Sequence, residues 1–201
     1  MTSRALDVAL VVEDELSLAV MLKVLAFSER GYTVLRPLVE RGVDNIRKSL
    51  TKYRNASRAL AHVVVVDLDE AACAPLLRAQ WGLVTLPDRM LFRVAVREVE
   101  AWLLADRAGF ANFAGILPSK ISQTPEALSD PKQALLNFVR SSRNRRLVQE
   151  IVPKQGTSMS KGRLYNERLG EFVRNEWDVA TAMQAAPSLQ RTVMRLKDFL
   201  G

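Results

Sequence analysis

The chain contains one cysteine, Cys73, and one histidine, His62. A lone cysteine excludes an internal disulfide and fits a reducing compartment, the cytoplasm. No histidine neighbours Cys73 in sequence, so it reads as a small packing residue rather than a nucleophile. A single histidine nearly excludes a histidine-based triad and a zinc site of several histidines. His62 opens an apolar run and reads as a structural or surface residue. Long apolar runs are also missing, so no stretch spans a bilayer. Asp7 and Glu13 interrupt the N-terminal region before a secretory core forms, so export is not expected. There is no repeat and no low-complexity tract.

The 201 residues are 48% hydrophobic and 25% charged, enough for a substantial core in one domain with a helical extension. The formal charge is +7, and its distribution is uneven. Between Arg140 and Arg174 lie nine basic residues (Arg140, Arg143, Arg145, Arg146, Lys154, Lys161, Arg163, Arg168, Arg174) against three acidic ones (Glu150, Glu167, Glu171). Such a surface suits a polyanion, or is simply a solvated basic face. Tyr53 and Tyr165 lie among basic residues and could stack on bases, although packing is the first expectation for both.

The most informative stretch is HVVVVDLDE, His62 to Glu70. Its valines predict a strand buried on both faces, as in a parallel sheet covered by helices. Asp67 and Asp69 end it, where open α/β sheets place their ligand crevice. In an extended backbone, residues two apart share a side, so both carboxylates are expected to reach one hard cation. A second apolar run, Val8 to Val12, stops at Glu13, Asp14 and Glu15, and a helical apolar spacing follows from Leu16 to Phe27.

Strands are predicted over 8–12, 32–39, 62–67 and 91–96, with helices over 15–28, 42–59 and 71–80. This alternation predicts βαβ units and a mainly parallel, Rossmann-like α/β sheet flanked by helices. Beyond Arg97 only helices are predicted, over 98–107, 108–115, 131–141, 144–151, 163–175 and 188–200, with Asp130-Pro131 as a helix start. The polar segment Lys154 to Gly162 reads as a loop. A division follows: an α/β domain over 1–110 and a basic helical C-terminal region over 111–201 packed on it. In REVEAWLLAD, Arg97 to Asp106, Glu98 and Trp102 share a helical face while Glu100 turns away. Both glutamates could simply favour the helix dipole, and Trp102 reads as core.

A strand ending in VVEDE, a later strand ending in VVVVDLDE and the following REVEAWLLAD together resemble TOPRIM-like proteins. The likeness is to a bacterial branch of uncharacterised domains related to OLD-family and RloB-like nucleases. PEALSDPK (Pro125 to Lys132) and SLQR (Ser188 to Arg191) resemble that branch too. The first motif departs from the family pattern by carrying Asp14 where a glycine often follows the glutamate. The resemblance implies a TOPRIM-like fold and a metal-dependent nuclease, with Glu13 as general acid/base or metal-bound carboxylate and Asp67 and Asp69 holding Mg²⁺ or Mn²⁺. It implies a second-metal role for Glu100 and Glu98, and phosphate contact for Lys132. An ATPase partner and defence against phage or plasmids are implied likewise. Candidate nucleic-acid contacts, DNA first, are Lys132, Arg143, Arg145, Arg146, Lys161 and Arg163.

Two other readings stay open. One is a TOPRIM scaffold that binds nucleic acid or an ATPase and cleaves nothing alone. The other is a receiver-like phospho-signalling domain, since VVEDE resembles the first acidic strand end of response regulators and Asp67 could accept phosphate. That reading leaves the helical C-terminus unexplained and lacks the expected Lys-Pro after a fifth strand.

Overall fold

The computed structural model describes residues 5–201. Four parallel strands, β1 (Leu6–Val12), β2 (Tyr32–Val39), β3 (Ala61–Asp67) and β4 (Met90–Ala95), pair in the order β2-β1-β3-β4. Helices α1 (Glu15–Phe27), α2 (Val43–Ala56) and α3 (Ala74–Gln80) make the crossovers. The expected α/β architecture is thus present: an all-parallel, Rossmann-like sheet flanked by helices.

Strand composition follows position in the sheet. The central strands β1 and β3 are buried along nearly their whole length, which requires apolar side chains on both faces. β2 lies at an edge, is largely exposed and tolerates Pro37, which has no N–H to donate. Its register against β1 slips between Val8 and Ala9. Alternation then sorts the side chains into two cores. Val8, Leu10, Val12, Val63, Val65, Leu91 and Ala95 face one side; Val11, Val64, Val66, Met90, Phe92 and Val94 face the other, against Ile46, Leu50, Tyr53 and Leu77 of α2 and α3.

The first core is the larger because the rest of the chain packs there. It comprises α4 (Val99–Ala105), α5 (Arg107–Ala114), α6 (Pro131–Arg140), α7 (Arg145–Ile151), α8 (Tyr165–Asn175), α9 (Val179–Ala185) and α10 (Pro187–Lys197). Two short 3-10 turns, Pro118–Lys120 and Pro125–Ala127, precede α6. One continuous core cluster runs from β1 to Phe199, so apolar packing shows no break near residue 110. Trp102 and Trp177 anchor it: the Trp177 indole donates to the Trp102 carbonyl (3.1 Å), and the Trp102 indole donates to Ser188 Oγ (2.7 Å). Truncating either buried indole to alanine costs about 3–5 kcal/mol. No helix among the described residues is long and apolar enough to cross a membrane.

Most predicted elements appear within a few residues of their expected bounds; α9 was not anticipated, because seven residues between two turns carry little periodic signal. Cys73 is exposed rather than packed. It sits at the N-cap of α3, outside the apolar face. His62 is buried, with Nδ1 2.6 Å from the Leu60 carbonyl, and is structural. Tyr53 and Tyr165 are both buried, so neither offers a stacking surface.

Candidate active site

Parallel pairing carries the ends of β1, β3 and β4 to one edge of the sheet. Glu13 follows β1, and its Oε1 accepts the Asp67 backbone N–H at 2.8 Å. Asp67 ends β3, and its Oδ1 accepts the Val99 N–H at the start of α4 (3.0 Å). Glu98 is the N-cap of α4 in extended conformation, not a helical residue. The helical spacing that separated Glu98 from Glu100 therefore fails, and the two carboxylates meet at Lys132. Lys132 Nζ lies 3.0 Å from Glu98 Oε1 and 3.6 Å from Glu100 Oε1, and its backbone N–H donates to Glu98 Oε2 (2.9 Å). Asp130 caps α6 by accepting the Gln133 N–H, which fixes Lys132 in the first turn.

Asp69 departs from its expected arrangement. β3 ends at Asp67, and Asp69 has a left-handed backbone (φ 49°), a conformation aspartate tolerates better than most residues. Its N–H donates to the Arg97 carbonyl (3.1 Å), and Arg97 Nη1 donates back to the Asp69 carbonyl (2.7 Å). Strand alternation no longer applies there, so the two aspartates line adjoining depressions. Asp67 faces a cavity of about 430 Å³ with Glu13, Asp14, Arg41, Glu100 and Lys132. Asp69 faces one of about 480 Å³ with Glu70, Arg97 and Glu98.

The carboxylates still feel one another. Burial, then Asp69 and Asp14, raise Glu13 to about 7, against the stabilising Asp67 N–H. Burial, then Glu100, Glu13 and Asp69, hold Asp67 well above the usual carboxylate range. Burial and Glu98 raise Asp69, and burial raises Glu100 despite Lys132. Burial works against the Lys132 ammonium, yet Glu100 and Glu98 raise it above an ordinary lysine. Lys132 thus acts as the internal counter-ion of the cluster.

Tyr165, far away in the chain, donates its hydroxyl to Glu100 Oε1 (2.8 Å). Glu100 Oε2 is buried and has no hydrogen-bond partner. Asp14 has an extended backbone and is the N-cap of α1. Its side chain caps α1 through the Ser17 N–H (2.9 Å) and meets Lys161 Nζ at 3.3 Å. Of the other basic candidates, Arg143, Arg145 and Arg163 are exposed, while Arg146 pairs with Glu150 at 2.9 Å. Lys132 pairs with Glu98 and Glu100, Lys161 pairs with Asp14, and Arg145 and Arg146 open α7.

The oxygen donors suit a hard cation such as Mg²⁺ or Mn²⁺ in kind, and the free Glu100 Oε2 is an orphan acceptor. Among the described residues, however, no three acidic, cysteine or histidine side chains stand close enough together to hold a metal ion as they are. Comparison with protein-family models, curated proteins and solved structures found no match.

Proposed function

We propose that the chain is a divalent-metal-dependent hydrolase of nucleic-acid phosphodiesters, with a TOPRIM-type carboxylate site at the edge formed by β1, β3 and β4. The observation that carries this reading is that Glu13, Asp67, Asp69, Glu98 and Glu100 come from three strand ends to one sheet edge, where Lys132 pairs with Glu98 and Glu100 and Asp67 feels Glu100, Glu13 and Asp69. Asp67 and Asp69, with Glu98 and Glu100, are the residues that would hold Mg²⁺ or Mn²⁺. The bound ion would supply charge neutralisation at the phosphoryl group and an acidified water.

The protein's own groups have distinct tasks. Glu13, held at the end of β1 with its Oε1 on the Asp67 N–H, would accept a proton from the attacking water. Lys132 orients a phosphate oxygen once a cation takes over the charge of Glu98 and Glu100. Tyr165 fixes the Glu100 carboxylate. An ATPase partner and a role in defence against phage or plasmids belong to the same proposal.

A specific observation favours a second reading. Lys132 already engages two of the carboxylates, and among the described residues no three acidic groups reach ligating spacing. A domain that binds nucleic acid or an ATPase without cutting alone would look the same. Nicking of supercoiled plasmid by pure protein in Mg²⁺ or Mn²⁺ separates the two. The expected result is nicking by the parent and background rates for Asp67→Asn/Asp69→Asn. A double variant as fast as the parent overturns the nuclease reading. Nicking that requires the added ATPase supports the second.

A further inference from the structure

Away from the acidic site, four arginines gather around the free edge of β4. Arg93 is the only charged residue of that strand and stands in phase with Leu91 and Ala95. Arg78 reaches the edge from α3, and Arg191 and Arg195 from α10. Two adjoining depressions, of about 490 Å³ and 390 Å³, share Arg78 and Arg93 as walls; Arg191 lines the first and Arg195 the second. Asp88 and Asp198 border the second, yet no ion pair involves any of the four arginines among the described residues.

Internal hydrogen bonds satisfy these guanidiniums only in part. Arg93 Nε donates to Thr192 Oγ1 (3.3 Å) and Arg78 Nη2 to the Leu83 carbonyl (3.1 Å), but Arg78 Nε is buried and unpartnered. Burial, then Arg195, Arg78 and Arg191, pull Arg93 down to about 10, so it stays charged at neutral pH among like charges. A fold that gathers four cations without an ion pair among the described residues leaves much of their compensation to a ligand. Guanidinium forks match phosphate oxygens. The apolar wall at Val84, 75% exposed, suits a sugar or base beside them. The position links this groove to the acids: Arg93 lies two residues, about 7 Å, before Ala95, which pairs with Asp67 across the ladder.

We propose that the Arg78–Arg93–Arg191–Arg195 groove binds successive backbone phosphates of a nucleic-acid strand and leads that strand toward the carboxylate edge. The inference rests on the phosphodiester reading for its direction, but phosphate binding itself needs no metal.

The test is fluorescence anisotropy of labelled single-stranded and duplex DNA with the full chain in EDTA, over a salt titration. Arg191→Glu/Arg195→Glu alters two exposed residues outside the acidic site, and a thermal melt checks its fold. Its affinity is expected to fall about tenfold or more, and the slope of log affinity against log salt to shrink by about 2. Arg143→Glu/Arg145→Glu is expected to bind nearly as the parent does. Parent-like affinity and slope in the α10 variant overturn the groove. So does loss confined to the Arg143/Arg145 variant, or binding of poly-glutamate but not DNA. Should the α10 variant lose DNA while the parent never nicks plasmid, the groove stands and the nuclease reading falls.

Discussion

At the strand ends, one lysine ammonium pairs with Glu98 and Glu100 and acts electrostatically on Glu13, Asp67 and Asp69, whereas along the edge of β4 four arginines gather with no ion pair among the described residues. The acidic cluster is tied into the backbone: Glu13 and Asp67 accept main-chain N–H groups, and Glu98 takes both the ammonium and the N–H of Lys132. It carries its own counter-ion and is held in place by the parts of the fold that build the sheet. The arginines hang from three elements and touch mostly carbonyl and hydroxyl oxygens. Like charges in a protein need an opposite charge from within or from a ligand. The first cluster pairs with one inside, and the second makes no ion pair among the described residues.

The largest effect expected from this contrast is on stability at Lys132. Lys132→Met leaves Glu98, Glu100 and Asp67 without their cation and is expected to cost about 3 kcal/mol near neutral pH, read by urea denaturation. The loss should shrink in acid, as the carboxylates become neutral. A variant as stable as its parent at every pH breaks the idea of internal compensation.

Next in size is Glu13→Gln, which keeps an oxygen to accept the Asp67 N–H. The folded protein holds a proton at Glu13 up to about 7, while the ordinary group releases it near 4.5. Folding therefore takes up protons across that window, and this contribution to stability is lost as pH rises through it. Glutamine removes that part of the slope, so the variant should be more stable than the parent above the window by about 2 kcal/mol. Melting curves across the window check it; unchanged pH dependence would remove Glu13 from the acidic cluster's electrostatics.

The smallest effect is expected on the other side of the contrast. Arg191→Glu/Arg195→Glu should change stability by no more than about 0.5 kcal/mol, because both side chains are exposed and make no ion pair with the described residues. A clear loss of melting temperature would show that the fold, not a ligand, depends on them.

Much of this architecture is legible in the sequence. The valines of β3 and the apolar run of β1 state their burial directly, since a strand covered on both faces has no polar positions. Glu13, Asp67 and Asp69 could be singled out because charges that end such runs stand out. The mutual position of Glu98 and Glu100 is not legible from helical spacing, which does not extend to an N-cap in extended conformation. Strand alternation likewise stops at Asp67, because Asp69 has a left-handed backbone just past the strand. Tyr165 and the arginine groove left almost no local trace. The one signal was Arg93, a lone charge inside LFRVAV.

Local pattern by itself determined the sheet, its helical cover and the acids at the strand ends, because burial periodicity and chain stiffness act over a few residues. The tertiary structure alone decided which charges meet. It set Lys132 among the carboxylates, Tyr165 on Glu100, and Arg78 with Arg191 beside β4. Coulomb energy depends on distance through space, and residues brought together by folding carry no mark of it along the chain.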